Sequence, residues 1–431
     1  MAVNSYFYKL RQLKTFKNCR LWSTSFANSE LNPDNPDFEE NSEVNQPSTA
    51  RLTRHVREIN AFFEQHPDFQ HLKRWVPKKV LETRPYKSPE HIYLVCPKIA
   101  TSVARHIKQR IQGVTFIGES NAGFGLITKA LLNEGVSSPI RIYESLPEFQ
   151  QYLNESFKNE DRVILYPKDF FSLRKHASID RLNCSSTVSE MIEGISMRTW
   201  RDEPAITLVG TLTNNTFLKY LIRCLILQRE PITYGRIDLF LITPLNQWQI
   251  YTATSDNVYR QYKAVSTLLQ TFFDMELIDK YPRKYFLPWQ NHSKKSRGKK
   301  DPSNFEEVCL MRMTMKKDFP ITADHFLPYY SFISFLYARG SGSIISTCEK
   351  YIPNSGQSLI VPKLPHEDYF EDINIFTKFK ELTPKQLISL YKELAAHEHF
   401  DSSPFMDMVE QELVKSETID SDLHEYNTKH K

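Results

Sequence analysis

Between Ile92 and about Lys317, short apolar runs of strand length alternate with amphipathic stretches of helix length, and this rhythm constrains the fold more than any other feature. Candidate strands are Val114–Ile117, Ile140–Tyr143, Val163–Tyr166, Ala205–Val209, Ile237–Ile242 and Val308–Met315. Candidate helices lie between them at Leu126–Leu132, Pro147–Phe157, Phe217–Gln228 and Asn257–Phe273. Such alternation predicts an α/β fold whose mainly parallel sheet is covered on both faces.

Two stretches break the rhythm. Residues 172–203 show little periodicity and are expected to form a long loop or insertion. Residues 291–303, "NHSKKSRGKKDPS", hold Lys294, Lys295, Arg297, Lys299 and Lys300 against the single acid Asp301. They read as a nucleic-acid-binding loop or as a merely solvated insertion. Beyond Phe319 the strands stop; "HFLPYYSFISFLYA" and "TPKQLISLYKELAAHEHF" read as helices, the second with Thr383 as N-cap and Pro384 at the first helical position.

The opening "MAVNSYFYKLRQLKTFKNCRLWSTSF" carries Lys9, Arg11, Lys14, Lys17 and Arg20, interspersed with aromatic and aliphatic residues, and no acid precedes Glu30. That pattern predicts a mitochondrial presequence cleaved near Trp22 and Ser23. Its loss would turn the formal net charge of +4 into about −1, so bulk charge favours no nucleic-acid partner and any such binding must come from a local patch. Residues 27–50 are acidic and proline-punctuated, with too few apolar side chains to offset the entropy of ordering. The expected plan is therefore a transit peptide over 1–22, a disordered linker over 23–50, an α/β domain over 51–318, and a helical domain with a flexible tail over 319–431.

Six cysteines occur singly, without C-x-x-C pairs or histidines at zinc-ligand spacing, which predicts reduced thiols and no metal site. No uninterrupted apolar run approaches the roughly 18 residues needed to cross a bilayer, so no membrane partner is expected.

In open α/β sheets, ligands bind at the carboxyl ends of strands near the point where strand order reverses. The stretch "FIGESNAGFGLITKALL" places Glu119 at the end of the first strand, with Gly123 and Gly125 free to turn the backbone tightly toward a ligand. Glu144 ends the second strand, and Asp169 follows the third. An acid after the second strand can accept both ribose hydroxyls, and one after the third can bind an adenine amino group. Solvated acids that merely start loops are the competing reading for each position taken singly.

Glu119, Asn121, Gly123, Gly125 and Thr128 as E-x-N-x-G-x-G-x-x-T, followed by Glu144 and "DFF" at 169–171, resemble the rRNA adenine N6,N6-dimethyltransferase family. The resemblance extends through "YGRIDLFLI" and through "YFLPWQ" at 285–290, and covers about residues 90–400. It implies a Rossmann-like S-adenosylmethionine-dependent methyltransferase sheet with a C-terminal helical domain. The cofactor would then lie against Val95, Glu119, Asn121, Gly123, Gly125, Glu144 and Asp169.

The presequence, the helical C-terminus and "ITYGRIDLFLITPLNQWQIY" resemble the mitochondrial branch of that family whose members are initiation factors for the single-subunit mitochondrial RNA polymerase. That branch implies a location in the matrix nucleoid. It also implies partnership with the polymerase, promoter DNA and the HMG-box mitochondrial transcription factor A, or with small-subunit rRNA if methylation persists. The Lys294–Lys300 loop and Trp289 are the candidate nucleic-acid contacts.

One departure weighs against catalysis. Where the family has Asn-Leu/Ile-Pro-Tyr/Phe after the fourth strand, this chain has Gly210, Thr211, Leu212 and Thr213, without the amino-group acceptor, the rigid proline or the stacking ring. No catalytic residue is therefore assigned, and methylation is expected to be weak or lost. A shifted register could use Asn214 and Phe217 instead; otherwise Asn214 or Asn215 caps the following helix. The family's Gln-Asn-Phe-Leu segment corresponds to "HIYLVC", which keeps Leu94 and Val95 but not the polar pair.

Overall fold

Strands that are apolar on both faces need cover on both, and this sheet has it. The computed structural model describes residues 54–81, 91–111, 113–288, 307–338, 342–360 and 373–414. The expected presequence, the linker and the 291–303 loop lie outside the described residues, as does Trp289. In chain order the strands are β1 (Tyr93–Leu94), β2 (Ile117–Ser120), β3 (Ile140–Tyr143), β4 (Val163–Tyr166), β5 (Ile206–Thr211), β6 (Ile237–Pro244), β7 (Phe273–Pro282), β8 (Phe286–Leu287) and β9 (Glu307–Met315).

Seven of them form one sheet in the order β4-β3-β2-β5-β6-β9-β7. The pairs from β4 to β6 are parallel, while β9 runs antiparallel to both β6 and β7. The chain moves outward from β2 through β3 to β4, then returns to the other side of β2 as β5 and β6. Strand order thus reverses between β2 and β5, and the crevice at their carboxyl ends is the expected ligand position.

Alternation along the central strands distributes their side chains to two cores. Leu239 and Leu241 of β6, with Met311 and Met313 of β9, face one core, whereas Phe240, Ile242, Val308 and Leu310 face the other. The second core is closed by helices Arg54–Gln65, Pro97–Lys108, Leu126–Asn133 and Pro147–Ser156. The first is closed by helices Thr216–Ile226 and Ala264–Phe272, and by those after Phe319. Tyr329, Phe332, Leu390 and Tyr391 from the latter helices belong to the same buried cluster as the sheet's Leu208 and Leu239. Thr271 and Tyr329 hydroxyls meet at 3.0 Å across that junction. Thr383 caps the helix Pro384–Ala395 in a reciprocal box with Gln386, with Pro384 in the first turn.

The structure corrects three local expectations. Residues 172–203 contain helices Leu173–Asn183 and Thr187–Met191; the longer one buries only Leu173 fully, so its periodicity is faint. The expected helix Asn257–Phe273 is confined to Ala264–Phe272, and the chain then enters β7, an edge strand bulged between Leu277 and Asp279. The first parallel strand begins at Ile117 rather than Val114.

Candidate functional site

The loop leaving β2 turns on three left-handed residues, Asn121 (φ 55°), Gly123 (φ 57°) and Gly125 (φ 60°). A Cβ on Gly123 would lie 2.7 Å from the Tyr93 ring, and Gly125 is the N-cap of helix Leu126–Asn133. The first glycine is therefore needed for close packing and the second for the turn into the helix.

The three expected acids converge on this loop but do different things. Glu119 faces its own helix, where its Oε2 accepts the backbone N–H of Thr128 at 2.8 Å and the Thr128 hydroxyl. Burial raises its carboxyl pKa to about 7, against the lowering effect of those bonds.

Glu144 is fully buried and accepts three backbone N–H groups, from Gly123 at 2.9 Å, Ser145 at 2.8 Å and Leu146 at 2.9 Å. Burial also raises its pKa to about 7, while the N–H bonds hold it down and nearby Asp169 pushes it up. Asp169 accepts the Ser120 hydroxyl at 3.0 Å, the Phe171 N–H at 2.9 Å and the Ser172 hydroxyl at 2.6 Å. His91 Nε2 stands 3.9 Å from Oδ2 of Asp169, the oxygen that accepts the Ser172 hydroxyl.

Asn121 is the exception to this saturation. Its side-chain nitrogen and oxygen are buried without a hydrogen-bond partner, while its backbone N–H donates to Tyr143 O at 2.9 Å. An orphaned buried amide at the switch point calls for a polar ligand or water. Val95 is fully buried, its N–H donating to Tyr285 O at 3.0 Å.

Glu119, Asn121, Glu144 and Asp169 are each no more than 5% exposed. Tyr93 lies across Gly123, and its ring centroid is 4.7 Å from that of Phe149. The strand ends therefore present polar groups suited to a nucleoside, under an aromatic cover. Tyr93 and His91 went unnoticed in the sequence. The signal for Tyr93 is its place two residues before Val95, on the same side of an extended segment.

The expected acceptor positions are the last residues of β5, and that end is filled. A Cβ on Gly210 would lie 2.3 Å from Ser120 O and 2.9 Å from the Phe171 ring. The Thr211 hydroxyl donates to Ile92 O at 2.6 Å. The shifted register fares no better, because Asn214 Oδ1 accepts the Thr216 N–H at 2.9 Å just ahead of the helix, whose N-cap position is Asn215. Phe217 is buried against Phe171, with ring centroids 4.7 Å apart. Lys294, Lys295, Arg297, Lys299 and Lys300 lie outside the described residues and are not placed.

No protein-family model matches the chain. A Drosophila melanogaster protein named "Dimethyladenosine transferase 2, mitochondrial" is 27% identical over 383 residues, spanning 80% of this chain and 84% of the relative. A Bos taurus protein of the same name is 24% identical over 245 residues, spanning 54% of this chain and 61% of that one. Among solved structures, that of the 23S rRNA methyltransferase ErmE matches 70% of this chain and 99% of its own at 16% identity, with a TM-score of 0.45. The chain is thus similar, across four fifths of its length, to mitochondrial dimethyladenosine transferase 2.

Proposed function

We propose that this protein is a mitochondrial transcription initiation factor, built on an rRNA adenine dimethyltransferase scaffold, that helps the single-subunit mitochondrial RNA polymerase melt promoters. One observation carries the reading. At Gly210, where the related enzymes place the asparagine acceptor, a side chain would strike the Ser120 carbonyl at 2.3 Å. The next position is tied to Ile92 through the Thr211 hydroxyl. Adenine methylation needs acceptors that orient the amino group and a ring that receives the extruded base. Neither fits at the end of β5 here, whereas gripping unstacked bases and backbone asks only for a cationic groove and stacking surfaces.

The mitochondrial location follows the basic N-terminus and the names of the relatives. The partners would be the polymerase, promoter DNA and the HMG-box transcription factor A, in the matrix nucleoid. Lys294, Lys295, Arg297, Lys299 and Lys300 would meet phosphates.

The residues present fit the nucleoside half of S-adenosylmethionine. Glu144 would meet ribose hydroxyls and Asp169 an adenine amino group, and the buried Asn121 amide is unspent. Bound there, the cofactor would supply an electrophilic methyl group. Tyr93 would have to move off Gly123 to admit it. These features favour a second reading, an S-adenosylmethionine-dependent dimethyltransferase acting on mitochondrial small-subunit rRNA.

A paired assay on one protein preparation separates the two. Run-off transcription with the cognate polymerase on duplex promoter should be strongly stimulated, and methyl transfer to the rRNA hairpin should be absent. Robust dimethylation without stimulation would establish the enzyme instead.

A further inference from the structure

On the face of the sheet that carries helices Leu173–Asn183 and Thr216–Ile226, a cavity of about 510 Å³ opens between those helices and Thr187–Met191. This is within the range of roughly 300–1,000 Å³ usual for small-ligand sites. Its walls are apolar, from Ala177, Val188, Leu227 and the Tyr220 ring, while Arg174, Arg181, Arg223 and Arg229 stand around it. The buried Cys224 thiol at its floor is pushed by burial up to about 11, so it contributes a neutral surface.

The two acids that share the cavity are committed elsewhere. Asp180 accepts the Ser185 hydroxyl at 2.7 Å and the Thr187 and Val188 N–H groups, which fastens the two helices together. Glu230 accepts the Ser189 hydroxyl at 2.9 Å. Neither Arg174 nor Arg223 has a carboxylate partner within 4.0 Å among the described residues. The charges of Arg181 and Arg229 act on the Tyr220 hydroxyl, and those of Arg223 and Arg229 on Cys224, both of which line the cavity.

A cationic rim over an apolar, aromatic wall suits a ligand with a dianionic head and a flat body. We propose that this cavity binds a 5′-nucleoside phosphate, either free or as the terminal unit of a nucleic-acid strand. Guanidinium forks would hold the phosphate, and the base would lie against Tyr220 and Leu227. The site is separate from the strand-end crevice and does not depend on how that crevice is used.

The test titrates the full chain with AMP, with a 5′-phosphorylated DNA octamer and with inorganic phosphate. AMP or the octamer should bind saturably, and more tightly than phosphate. The double variant Arg174→Gln, Arg223→Gln should weaken that binding by about tenfold or more, the scale of a lost charge-assisted bond. Ala177→Phe, which fills the cavity without removing a charge, should do the same. Arg105→Gln, on the helix Pro97–Lys108 over the opposite face of the sheet, should leave the affinity unchanged. Binding of AMP identifies a free metabolite as a sufficient ligand; sensitivity seen with the octamer alone assigns the site to a strand terminus. No saturable binding of either, binding indifferent to both cavity variants, or phosphate bound as tightly as the nucleotide would overturn the proposal.

Discussion

The buried Glu144 carboxylate accepts the Gly123 N–H at 2.9 Å, so the acid just after β3 holds the loop that follows β2. The same carboxylate fixes the start of its own loop through Ser145 and Leu146. The acid proposed to meet a ribose is therefore also a structural tie.

Glu144→Ala should consequently destabilise the ligand-free protein. At pH 6, below the raised pKa of this carboxyl, the loss should be about 1–3 kcal/mol in urea unfolding, the cost of leaving buried donors unpaired. The Gly123, Ser145 and Leu146 amides should exchange faster with solvent. Unchanged stability and exchange would show that the carboxylate does not hold the loop.

Glu119 offers a pH signature. Its folded pKa, raised by burial to about 7, lies above the usual carboxyl value of 4.5, so the folded state binds its proton more tightly than the unfolded state does. Its favourable contribution is present below 4.5 and is lost as pH rises toward 7. Glu119→Gln keeps an oxygen for Thr128 but cannot ionise. Relative to the variant, the wild type should lose on the order of 3 kcal/mol between pH 4.5 and 7.5. Parallel stability curves for the two proteins would refute the buried, proton-binding carboxyl.

Gly210 tests the acceptor position. Gly210→Ala should destabilise by about 1–3 kcal/mol through overpacking against Ser120 O and Phe171. Gly210→Asn, which restores the related enzymes' acceptor type, should be at least as damaging and should not confer methyl transfer. Methylation gained by Gly210→Asn in a stable protein would mean that the end of β5 is far more accommodating than its packing indicates.

Much of this was legible in the sequence, for reasons that differ from element to element. β3 and β4 appear where their apolar runs lie, because short β-branched runs between polar breaks have few alternatives. The strand-end acids could be found because a parallel sheet directs its crevice to those positions. β7 was missed because an edge strand half exposed along its length carries no clean alternation. The helix at 173–183 was missed because one fully buried leucine leaves little periodicity to read. That Glu119 turns to Thr128 goes with the left-handed turn through Asn121, Gly123 and Gly125, and spacing alone does not encode that. Nor does it reveal that Tyr93 closes over the loop.

The last prediction concerns DNA and rests on the proposed initiation role. A factor that stabilises melted strands should stimulate its polymerase strongly on duplex promoter and weakly on a template already open, because the pre-melted bubble has removed the step it assists. A methyltransferase has no reason to show that difference. Adding or omitting S-adenosylmethionine should change neither value, and Asp169→Asn should stimulate as the wild type does. Neutralising Lys294, Lys295, Arg297, Lys299 and Lys300 together should weaken DNA binding and cut duplex initiation. It should also flatten the salt dependence, since each phosphate contact contributes about 0.7 to the log–log slope on single strands and about 0.9 on duplex. If duplex and bubble templates respond alike, and the salt slope survives neutralisation of all five cations, then neither strand melting nor this loop explains what the protein does.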